Sequence, residues 1–73
     1  MKVIAKRGDN SYLVQTSENR ARVADMDQNV FYPEFNLLSI LARGYWEDYD
    51  DTDGSKLKEI LAEAKEPEKA GMQ

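Results

Sequence analysis

The chain has 73 residues, a net charge of −4, and neither Cys nor His. That excludes disulfide staples, thiolate or imidazole metal sites, and nucleophilic catalysis by a Ser–His or Cys–His pair. One small domain is implied, whose stability rests on a compact apolar core or on self-association.

The first elements read as strands. Residues 2–7 alternate loosely and include β-branched Val3 and Ile4, and Arg7-Gly8-Asp9-Asn10 has the composition of a turn, with Gly8 and Asn10 suited to positive φ. Ser11-Tyr12-Leu13-Val14-Gln15-Thr16 is a strand by residue type, which makes the first two segments a β-hairpin. The triplet Arg7-Gly8-Asp9 also matches an integrin-recognition tripeptide, but turn chemistry accounts for it unaided. After a polar turn at Ser17-Glu18-Asn19, residues 20–26 alternate basic with small or apolar side chains, as a strand with one wet face does. Asp27-Gln28-Asn29 turns the chain again, and Val30-Phe31-Tyr32 forms a short strand that Pro33 ends. Three or four antiparallel strands in a meander follow from this spacing.

Pro33-Glu34-Phe35-Asn36 opens a helix, with Pro33 at its first position or Asn36 as its N-cap. Leu37, Ile40 and Leu41 recur at helical spacing with Leu38 beside them, and Gly44 is placed to close the helix. Next comes Gly44-Tyr45-Trp46-Glu47-Asp48-Tyr49-Asp50-Asp51-Thr52-Asp53, which holds the sole Trp, two of the four Tyr, and five acids with no base. A second amphipathic helix runs to Glu66 on Leu57, Ile60, Leu61 and Ala64, with Asp53 or Ser55 as its cap and Pro67 as its stop. The expected architecture is therefore α+β, a small N-terminal antiparallel sheet followed by two short helices packed on one face of it. Residues 1–66 make the domain and 67–73 a frayed tail; no internal repeat or separate linker is visible.

The run from Phe35 to Ala42, broken by Asn36 and Ser39, is far short of the ~20 apolar residues that span a bilayer. The N-terminal apolar run is too short for a signal peptide, so a cytoplasmic protein is expected. No Gly-rich phosphate loop is present. Asp51-Thr52-Asp53-Gly54-Ser55 is similar to part of a calcium-binding EF-hand loop, but placing Gly54 at the turn puts Tyr49 and Ile60 where an Asp and a bidentate Glu are required. No cofactor, metal or enzymatic activity is expected.

Charge is unevenly spread. Residues 1–43 carry Lys2, Lys6, Arg7, Arg20, Arg22 and Arg43 against Asp9, Glu18, Asp25, Asp27 and Glu34, whereas residues 44–73 carry four bases and nine acids. The acidic half suits a basic partner. Tyr45, Trp46 and Tyr49 lie so close to carboxylates that must stay wet that these rings are expected at the surface, as anchors of a protein interface. Glu47, Asp48, Asp50, Asp51 and Asp53 would then attract a basic partner surface, and could imitate nucleic-acid phosphates toward a nucleic-acid enzyme. The bland alternative is that Trp46 and one of the tyrosines complete a small core, while the acids solvate a loop and cap the last helix. A second function class is nucleic-acid binding by the sheet: strand parity puts Lys2 with Lys6, and Arg20 with Arg22, on shared faces, with Tyr12 near enough to stack. A third is a self-assembling subunit, for instance a homodimer. In general style the chain resembles small accessory or inhibitor proteins of bacteria and their viruses. The likeness is one of type and assigns no residue a role.

Overall fold

The computed structural model describes residues 1–66. Strands β1 (Lys2–Arg7), β2 (Ser11–Ser17), β3 (Arg20–Asp25) and β4 (Val30–Phe31) form the expected antiparallel meander. Two further strands of two residues each, β5 (Phe35–Asn36) and β6 (Glu47–Asp48), pair with β3 and β1, so the sheet has six strands in the order β4-β3-β2-β1-β6 with β5 beside β4 on the edge of β3. Helix α1 (Leu37–Arg43) follows β5 directly, and α2 (Ser55–Glu63) closes the domain. Gly8 takes φ 66 in the first turn; in the third the left-handed residue is Asn29, at φ 58, and not Asn10 of the first. Asp25 Oδ1 holds that third turn by accepting from the amides of Asp27 and Gln28 at 3.0 and 3.3 Å.

The helices lie on opposite faces of the sheet, not on one. In β2 the apolar run Tyr12-Leu13-Val14 is buried throughout, and its members divide by strand parity. Tyr12 and Val14 join Val3, Ala24, Phe31 and Ile60, with Leu57 and Ala64 of α2 packed against them. Leu13 joins Ala5 and Ala21, with Leu37 and Ile40 of α1 and Trp46 against them. A strand with both sides apolar has to be covered twice, so one helix goes to each face. Leu13 and Ile60 are wholly shielded from solvent, and each such side chain contributes about 2–3 kcal/mol of burial.

Asn36 caps α1, its Oδ1 accepting from the Ser39 amide at 3.0 Å. Gly44 follows in extended conformation, φ −129 and ψ 170, rather than in the left-handed form that often ends helices. Helix α2 stops at Glu63, short of the expected Glu66, because the chain there is drawn to the sheet. Ala64 is extended, and Lys65 bridges to Val30, its amide donating to Asn29 O and its carbonyl accepting from the Phe31 amide. The expected stop at Pro67 and frayed tail at 67–73 lie outside the described residues. Among the described residues, no helix is long and apolar enough to cross a membrane.

Candidate interaction site

The acidic-aromatic segment is fastened to the edge of β1. Ala5 pairs with Asp48 and Lys6 with Glu47, and the Tyr49 amide donates to Ile4 O at 3.2 Å. The three rings expected at the surface have different fates. Trp46 is half-buried against the Ala5–Leu13–Ala21 cluster, with the Arg7 guanidinium 4.5 Å from its ring centre. Its indole N–H is buried and has no hydrogen-bond partner among the described residues. Tyr49 is half-buried on the other face, edge-on to Tyr12 at 5.5 Å. Tyr45 alone stands free, 93 % exposed. The expectation of three uncovered rings is thus corrected for Trp46 and Tyr49: the sheet edge binds the backbone between them, and each ring is drawn onto a core cluster.

Gly44 makes this placement possible. A Cβ there would come within 2.8 Å of both Arg7 Nη1 and Trp46 Nε1. Glycine is required by that close approach and not by a left-handed φ.

The five acids divide as well. Asp51 is half-buried and starts α2: its carboxylate oxygens accept from the amides of Lys56 and Leu57, each at 3.0 Å, and its carbonyl accepts from Gly54 N. Asp53 Oδ1 accepts from the Ser55 amide at 3.0 Å, and hydrogen bonds from the Ser55 backbone and hydroxyl hold its carboxyl below the ordinary 3.8. Neither expected cap residue is the N-cap itself, which is left-handed Gly54 at φ 73 with no side-chain bond. Lys56 pairs with Glu59 at 2.9 Å and lies over the Tyr12 ring; the Glu59 hydrogen bond raises its pKa above 10.5. Glu47, Asp48 and Asp50 remain exposed. Asp48, Asp50 and Asp51 also line a shallow groove of about 440 Å³ shared with Lys2, Val3, Ile4 and Tyr49.

The basic side chains do not gather. A bulge in β1 between Val3 and Ala5 reverses parity along the strand. Lys2 pairs with Gln15 and shares the face of Ala21, whereas Lys6 pairs with Tyr12 on the other. Arg22 is committed within the fold: it ion-pairs with Glu66, donates to the carbonyls of Tyr32 and Phe31, and lies 3.9 Å over the Phe31 ring. Arg20 stays exposed beside Asn36. The expected common face for Lys2 and Lys6 is therefore overturned by one inserted residue.

Among the described residues, no three His, Cys, Asp or Glu converge as metal ligands. No family model, curated protein or solved structure matches the chain. Sequence reasoning missed one surface, the apolar flank of β5 and α1 that is exposed among the described residues. Its signal was the crowding of Leu37, Leu38, Ile40 and Leu41 in a helix too short to bury them all.

Proposed function

We propose that this protein is a non-enzymatic binding module that docks on a basic surface of a partner protein through Tyr45, Glu47, Asp48 and Asp50. The observation that carries this reading is the exposure of Tyr45 immediately before a packed Trp46. A ring whose neighbouring backbone is pinned to the core loses little freedom on binding, and Tyr is a common interface anchor. The three carboxylates that follow are free of the helix-capping work done by Asp51 and Asp53, so their charge is available to steer a cationic surface. By occupying that surface the module would act as an accessory or inhibitory subunit.

Side-by-side affinity capture with the wild type, Tyr45→Ala and the Asp48→Lys/Asp50→Lys double variant tests the reading. A protein retained by the wild type should bind Tyr45→Ala about 2 kcal/mol more weakly, an ordinary figure for an interface anchor. The double variant should associate more slowly and with a flatter salt dependence. Because Tyr45 contributes so little to packing, the thermal midpoint should not move. Equal retention by all three proteins rules the surface out.

A further inference from the structure

The start of β1 is an open stretch of sheet edge. Strand β6 pairs with Ala5 and Lys6, and the Tyr49 amide still reaches Ile4 O. Beyond Tyr49 the two segments part. Lys2 and Val3 pair with Gln15 and Val14 of β2 on one side and, among the described residues, with no strand on the other. Of two successive strand residues, one turns its N–H and C=O to each edge, so backbone donor and acceptor groups are presented there. The groove between residues 2–4 and 48–51 is the gap left by this parting.

Its walls differ from one face of the sheet to the other. Asp48 pairs with Ala5 of the Leu13 cluster and so emerges on that face. Val3 and Tyr49 belong to the Tyr12 cluster on the opposite face. A strand laid along Lys2 and Val3 sends successive side chains to alternate faces. On one face they meet a carboxylate, and on the other they meet apolar side chains. Asp48, Asp50 and Asp51 together outnumber the single ammonium of Lys2 in the groove.

We infer that an extended segment of the partner, alternating basic with apolar residues, adds to the edge of β1 as a further strand. Its bases lie toward Asp48 and its apolar residues toward Val3 and Tyr49. The inference rests on the reading of Asp48 and Asp50 as contacts for a basic partner, and it names the form that partner takes. A second copy of the same edge would bring the same excess of acids, and residues 67–73 hold one acid and one base, so neither has the charge for this groove. The open stretch is short, so the segment alone binds weakly, with a dissociation constant on the order of 0.1 mM.

The probe is a capped peptide of four Lys-Val repeats, added to the isotope-labelled full chain up to about 2 mM and followed by nuclear magnetic resonance. The amide resonances of Lys2, Val3, Ile4 and Tyr49 should shift together and saturate. Exchange of whichever amide of Lys2 or Val3 faces the edge should slow, because the added strand accepts its hydrogen bond. A peptide of the same composition with all its Lys before all its Val should bind about tenfold more weakly, and Glu-Val repeats should not bind. The Asp48→Lys/Asp50→Lys variant should bind the Lys-Val repeats about tenfold more weakly than the wild type does. Shifts confined to Tyr45, Glu47 and Asp48, with Lys2 and Val3 unmoved, overturn strand addition and leave the acidic docking surface standing. Equal binding of the alternating and block peptides overturns it too, as does unchanged exchange at the edge. A chain indifferent to all three peptides overturns it as well, and the affinity capture then still decides the docking surface by itself.

Discussion

At the scale of single residues, the acidic-aromatic segment assigns opposite jobs to neighbouring rings. Tyr45 and Trp46 are adjacent, yet one is 93 % exposed while the other closes the Ala5–Leu13–Ala21 cluster under the Arg7 guanidinium. Their fates were not legible in sequence, because the acids that follow them suit both an interface and a wet loop. What decides between them is the pairing of Glu47 and Asp48 with β1, which fixes the side on which each preceding residue emerges. Trp46→Ala should therefore destabilise the domain by about 3 kcal/mol, the range for deleting a large packed aromatic, whereas Tyr45→Ala should be close to neutral. Urea denaturation of the two variants followed by far-ultraviolet circular dichroism checks this, since neither variant depends on indole fluorescence for that readout. Equal midpoints would mean that Trp46 does not belong to the core.

At the scale of elements, the hairpin, the meander and both amphipathic helices were legible, because each rests on a local pattern: turn residues at Gly8 and Asp27–Asn29, and apolar spacing of three and four in α2. The two-residue strands β5 and β6 were not. Phe35-Asn36 and Glu47-Asp48 carry no strand periodicity, and they pair because the turns before them deliver them to open edges of β3 and β1. The β1 bulge was equally silent, and it alone separates Lys2 from Lys6. The start of α2 was half legible: acids were expected there, but Asp51, four residues before the helix, does the capping by reaching the amides of Lys56 and Leu57. Asp53 supports the same turn, and its lowered pKa gives the sign of a pH effect. A carboxyl whose folded-state pKa lies below its unfolded value stabilises the fold fully above the unfolded value of 3.8 and ceases to as pH falls through the folded one. Asp53→Asn should accordingly melt below the wild type at neutral pH, and the gap should close on acidification below 3.8. A gap that is constant with pH would detach Asp53 from the helix start.

At the scale of the molecule, the sheet is a shared wall between two small cores. The clue was present in Tyr12-Leu13-Val14: an unbroken apolar run in a strand signals cover on both sides, where alternation signals one. Placing both helices on the face of Tyr12 and Val14 would have taken Leu37 and Ile40 away from Leu13 and Ala21, and both of these are wholly buried. The arrangement has an energetic consequence. Ile60 packs with Val3, Val14 and Phe31 on one face, and Ile40 with Leu13 and Ala21 on the other, so the two isoleucines share no cluster. Ile60→Val should cost about 1 kcal/mol and Ile40→Val, which is only half-buried, somewhat less. Truncations this mild leave a marginal 73-residue domain folded, so the double variant can be measured too. Its cost should equal the two single costs together to within about 0.5 kcal/mol, as for sites that share no partner. Urea midpoints of the four proteins, all taken at one protein concentration, supply the cycle. A coupling of about 1 kcal/mol or more would mean that the isoleucines meet in one core, and that the sheet does not stand between them.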